Sequence, residues 1–106
     1  MPSKAYTERN WRENPAFRAL CKALCSCKTP AAVADLLRDI GTLSELWAWS
    51  ERLEVARLLA QGKPYREVAE LTGASTTTVT RVARFVREGE GGYRRILKAY
   101  DTPEEV

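Results

Sequence analysis

The sequence predicts an all-α domain, and three observations carry that prediction. Apolar residues recur at three- and four-residue spacing along most of the 106-residue chain, and no stretch reads as a strand. Proline and glycine fall between the periodic segments, where helices begin and end. The stretch from Pro64 to Arg87, PYREVAELTGASTTTVTRVARFVR, reads as two short helices joined by a tight turn.

Residues 1–13 are polar and of mixed charge, with Trp11 their one large apolar anchor, and are expected to form an arm. Asn14-Pro15 gives an N-cap followed by proline at the first helical position, so a helix is expected over 15–27. Its apolar residues Phe17, Leu20, Cys21 and Leu24 follow the i, i+3, i+4, i+7 pattern of one buried stripe. Thr29-Pro30 repeats the start signal for a helix over 30–39, carrying Val33, Leu36, Leu37 and Ile40 at helical spacing and ended by Gly41.

Thr42 with Glu45 three residues on is a capping box, and it opens the longest helix, expected from Leu43 to Gln61. Its apolar residues do not form one stripe. Leu46, Trp49, Leu53 and Ala60 lie on one side, while Trp47, Val55, Leu58 and Leu59 spread around another. A helix apolar on two sides needs neighbours on both. In a chain this short, either the two preceding helices supply them or a second copy of the protein does.

Pro64 suits the first turn of the next helix, which Gly73 ends from a left-handed position. Ser75 then caps a second helix, from Thr76 to Arg87, by accepting from the backbone N–H of Thr77 or Thr78. At about 100° per residue, Val79, Val82, Ala83 and Val86 gather on one face, opposite Thr77, Thr80, Arg81, Arg84 and Glu88. The small Ala69 permits close crossing of Val68 and Ala69 against Val79 and Val82, a helix-turn-helix pattern. The simpler alternative is an αα-hairpin with a solvated polar face. Beyond the glycines at 89, 91 and 92, a short helix is expected over 93–100, then a disordered tail at 101–106. The domain thus spans 14–100.

Charge distribution weighs on the same segment. The chain carries only +3, but Ser75 to Lys98 holds six basic residues against two acidic ones, +4, leaving −1 for everything else. Basicity gathered beside a helix-turn-helix pattern favours a phosphate-backbone partner.

Other classes fit less well. With no histidine in the chain, and with Glu67 and Glu70 solvated on a helix, acid–base or nucleophilic catalysis lacks an evident base, so an enzyme is not expected. Gly89, Gly91 and Gly92 follow a helix and form no phosphate loop. Cys21, Cys25 and Cys27 lack zinc-ligand spacing and are expected to pack as small apolar side chains, so no metal and no cofactor is expected. The basic cluster is not interleaved with aromatics as an RNA-stacking platform would be. No signal peptide or membrane-spanning run is present, so a cytoplasmic, reduced location off the membrane is expected.

The order of helices, the segment LLAQGKPYREVAELTGASTTTVTRV and the closing GGYRRIL resemble the Trp-repressor superfamily, in particular its YerC/YecD group of Trp-repressor-related proteins. The resemblance covers residues 10–100 and is most specific from Leu58 to Phe85. It implies a Trp-repressor-like helical bundle, an intertwined homodimer and a DNA-binding transcriptional regulator; the homodimer agrees with the two-sided central helix. In Trp repressor two arginines sandwich the tryptophan ligand. The recognition-helix arginine corresponds to Arg81 here, but the central-helix position is Glu51, a glycine is replaced by Val82, and a serine by Phe85. A carboxylate repels the carboxylate that a guanidinium would bind. Glu51, Arg81 and Phe85 therefore mark an effector pocket unsuited to L-tryptophan, and any small-molecule effector is unknown.

Docked as the resemblance implies, the second helix of the motif enters the major groove of double-stranded DNA. Trp repressor is itself one of the proteins from which that docking geometry is generalised. Ser75, Thr76, Thr77, Thr80 and Arg81 then stand nearest the base edges, with Arg81 suited to the O6/N7 pair of a guanine. Arg84 and Arg87 fall on phosphates, and Lys63, Tyr65 and Arg66 offer further backbone contacts. The rival reading keeps the fold as a protein-interaction module without DNA binding, and the basic face weighs against it.

Overall fold

Asn14, Thr29 and Ser75 cap three helix starts with their side chains, and Gly41, Gly73 and Gly89 stand at three helix ends. The computed structural model describes residues 5–97, and all regular structure among them is helical: α1 (Pro15–Ser26), α2 (Pro30–Ile40), α3 (Leu43–Ala60), α4 (Tyr65–Thr72), α5 (Thr76–Glu88) and α6 over 92–97. The tail expected at 101–106 and the end of the last helix lie outside the described residues. No helix of the described residues is long and apolar enough to cross a membrane. The chain divides into two units, one ending at Thr42 and one beginning at Leu43.

In the first unit, the Asn14 side chain accepts from the N–H groups of Ala16 and Phe17, at 2.9 and 3.2 Å, and Thr29 accepts from Ala32 N–H at 3.1 Å. Both caps satisfy helix donors that would otherwise lack partners. The segment expected as an arm is tied down ahead of α1. Thr7 and Asn10 exchange side-chain-to-backbone hydrogen bonds at 3.0 and 3.2 Å, and Trp11 meets the Phe17 ring edge-on at 5.5 Å. Neither α1 nor α2 contains a buried residue. The α1 stripe is accordingly half-buried at Phe17, Leu20 and Leu24, while Cys21 and Cys25 are exposed, against the expectation that they pack inside. A stripe becomes a core only where another apolar surface meets it.

The second unit holds the core. α3 packs against both α4 and α5, and α4 against α5. Val55, Ala56 and Leu58 of α3, Val68 of α4, Ala74 in the turn, Val79 and Val82 of α5, and Leu97 form one buried cluster. Full burial of Val55, Val68 and Val79 contributes about 1.5–3 kcal/mol each. The two-sided apolar pattern of α3 resolves along its length. Its C-terminal half supplies the core, whereas Leu43, Trp47, Trp49 and Leu53 are 65, 64, 42 and 36 % exposed.

The turn of the motif follows the expected chemistry. Gly73 stands at φ +79° in the left-handed region, donating to Ala69 O. Thr72 Oγ1 donates to Val68 O at 2.8 Å and accepts from Ala74 N–H at 3.1 Å, which fixes the chain as it turns. The Ser75 side chain accepts from Thr78 N–H at 3.0 Å. Pro64 sits one place earlier than expected, as the N-cap of α4 with ψ 152°. α5 ends at Gly89, where an added Cβ would collide with the Phe85 carbonyl oxygen.

Candidate nucleic-acid interface

One face of α5 is committed to the core and the other to solvent. Val79, Val82 and Ala83 are 0, 3 and 5 % exposed, while Thr76, Thr77, Thr80, Arg81, Arg84 and Arg87 are all exposed. Those six residues, with Glu88, line a single open groove of about 510 Å³. Ser75, placed beside them by sequence, spends its hydroxyl on the helix: it accepts from Thr78 N–H and donates to Thr78 Oγ1 at 3.1 Å.

The arginines of this face differ in their surroundings. Arg84 Nε lies 3.8 Å from Glu88 Oε1, and its guanidinium stands 5.8 Å from the centre of the Phe85 ring. Arg87 Nη1 donates to the Tyr65 hydroxyl at 3.3 Å, joining α5 to the start of α4. Behind this bridge, Leu59, Ala60, Gly62, Lys63, Tyr65, Ala83, Val86 and Arg87 line a second cavity of about 240 Å³. Lys63 Nζ faces Glu67 Oε2 at 3.8 Å, and Arg66 is exposed. The expected backbone-contact residues therefore lie on the flank where α4 starts, next to the groove, and Arg87 belongs to both places.

The expected effector residues are not gathered in either cavity. Arg81 lines the α5 groove, but Glu51, half-buried, and Phe85, 49 % exposed, line neither. Val82 belongs to the buried cluster, so the position that is glycine in Trp repressor is here filled by a packed side chain.

Two features escaped sequence reasoning. Arg94 donates from Nε to Val86 O at 3.1 Å and from Nη2 to Arg87 O, satisfying carbonyls of the last turn of α5. It reaches back across a glycine break, so no periodic signal marks it. Glu88 falls on the polar face by periodicity, but only the structure places its carboxylate in the same groove as the cations.

Comparison with known proteins agrees with this architecture. A family model described as Trp repressor protein matches residues 16–101. Over 59 residues the chain is 41 % identical to the uncharacterized protein YerC of Bacillus subtilis (strain 168); that match covers 56 % of this chain and 57 % of YerC, so the chain spans a little over half of that relative's length. A TrpR-like protein from Eubacterium eligens ATCC 27750 superposes with a TM-score of 0.80 at 34 % identity, covering 85 % of this chain and 93 % of that one. A candidate Trp repressor from Staphylococcus aureus gives a TM-score of 0.82 at 27 % identity, covering 91 % of this chain and 96 % of the other. A helix-turn-helix with its apolar side in the core and its threonines and arginines in solvent, within a match over residues 16–101, places the chain in the Trp repressor family, a family of regulators and not of enzymes.

Proposed function

We propose that this protein is a cytoplasmic, sequence-specific transcriptional repressor that binds double-stranded DNA as a homodimer, with α5 in the major groove. The observation that carries the reading is the division of α5: three residues sealed in the core, and six threonines and arginines gathered on one open groove. Thr76, Thr77, Thr80 and Arg81 occupy the N-terminal half of that helix, the part that approaches base edges in helix-turn-helix docking. Ser75 acts mainly by holding the helix start. Arg84 and Arg87, with Lys63, Tyr65 and Arg66 on the flank, position the protein on phosphates.

Support for the homodimer comes from the uncovered apolar surface of α3 at Leu43, Trp47, Trp49 and Leu53, and from the lack of buried residues in α1 and α2. Two α5 helices related by a two-fold axis read half-sites about one helical turn apart, so the operator is palindromic. L-tryptophan is not the corepressor: Glu51 offers a carboxylate where an arginine is needed, Val82 is packed, and Phe85 is bulky.

A gel shift with random duplex DNA at low and moderate salt, followed by selection from a random library, tests the reading. Binding with steep salt dependence and a palindromic selected site is expected. No shift at low salt would transfer the exposed face to a protein partner, and a monomer in sedimentation at micromolar concentration would remove the palindrome. Calorimetry with L-tryptophan is expected to give no micromolar binding.

A further inference from the structure

We infer that Glu88 is a specificity-setting residue, a carboxylate that lowers this protein's affinity for arbitrary DNA. The inference rests on the DNA-binding reading above. Among the described residues Glu88 is the one acidic side chain lining the α5 groove, and at 64 % exposure it is solvated.

Neither local structure nor stability accounts for it. It is the last residue of α5, where the helix dipole favours cations and disfavours a carboxylate. Its partner Arg84 stands four residues N-terminal to it, the weaker order for a helical ion pair, at 3.8 Å and with 68 % of the arginine side chain exposed. A pair so open contributes little to folding.

On a phosphate-binding face the same carboxylate has a definite effect. Binding to arbitrary duplex is driven almost entirely by phosphate charge and counterion release. In that loose complex Arg84 can stay beside Glu88, so one cation of the face is partly withheld, and the carboxylate adds repulsion of its own. At the operator, base contacts near Thr77 fix the docking, and Arg84 is drawn onto its phosphate whether or not Glu88 is charged. Thr77 and Glu88 are separated by roughly 16 Å along the helix, so the carboxylate touches no base edge. Discrimination is a ratio of two affinities, and a feature that weakens the unwanted complex more than the wanted one raises it.

The test compares wild-type protein and Glu88→Gln on two duplexes: a random-sequence 25-mer, and the duplex that wild-type protein selects best from a random library. Glu88→Gln is expected to bind the random duplex about two- to fivefold more tightly, with a steeper salt dependence, and to gain less than twofold on the selected one. Asp35→Asn, the same charge change at an exposed position of α2, is expected to leave the ratio between the duplexes unchanged. Equal gains on both duplexes, no gain, or a loss overturns the assignment while leaving DNA binding intact. Failure of wild-type protein to shift either duplex at low salt overturns the DNA reading itself, and this inference with it. Circular dichroism of both variants confirms the fold, since both positions are exposed.

Discussion

The Arg87 guanidinium donates to the Tyr65 hydroxyl at 3.3 Å, and this bond joins the end of α5 to the start of α4. Both side chains are exposed, so the bond contributes little to folding, but it restrains a long cation that would otherwise sample many rotamers. Tyr65→Phe keeps the ring and removes the acceptor. It is expected to leave the melting temperature nearly unchanged and to weaken DNA binding about two- to threefold, because ordering Arg87 then falls to the binding step and the hydroxyl's own phosphate contact is lost. An unchanged affinity would remove the Tyr65 hydroxyl, and its bond to Arg87, from the interface.

Arg81 and Arg84 stand one turn apart on the same groove yet are assigned different tasks. Arg81→Ala is expected to cost about 1–3 kcal/mol on the selected duplex and to relax preference at one base pair per half-site. Arg84→Ala is expected to weaken binding without changing base preference, more on the selected duplex than on random DNA, and to flatten the salt dependence on the selected duplex by about one phosphate contact per subunit. Library selection repeated with each variant reads the first effect, and salt titration the second.

How much of this was legible in the sequence depends on how local each signal is. Asn14, Thr29, Gly73 and Ser75 act on backbone groups two to four residues away, and their roles as caps and turn residue are read directly from the chain. The division of α5 into valine and threonine–arginine faces is likewise set by the helical period. Partnership across longer separations is not periodic. Tyr65 with Arg87 spans 22 residues, and Arg94 reaches back 7 and 8 residues to carbonyls of α5. The cysteines fail for a related reason: their spacing reports a stripe, but nothing local reports whether a surface covers it, and Cys21 and Cys25 are exposed.

The turn of the motif has its own sensitivity. Gly73 sits at φ +79° with open space where a Cβ would stand, so a substitution there meets conformational strain without a clash. Gly73→Ala is expected to destabilise the protein by about 1–2 kcal/mol, and Val79→Ala, in the core below, by about 2 kcal/mol. Chemical denaturation measures both. A stabilised Gly73→Ala protein would mean that the chain leaves the left-handed conformation at no cost.

Burial raises the pKa of Tyr93 above the ordinary tyrosine value, and the nearby charge of Arg52 only partly opposes this. Tyr93 packs against the buried cluster, where losing its proton would leave a charge poorly solvated. A group whose folded pKa is raised contributes stability that is complete below its unfolded pKa, about 10, and is lost as pH climbs through the folded value. Stability of the wild-type protein is therefore expected to fall above about pH 10. Tyr93→Phe keeps the packing and removes the proton, so its alkaline decline is expected to be shallower. Identical alkaline slopes for the two proteins would assign that decline to other groups.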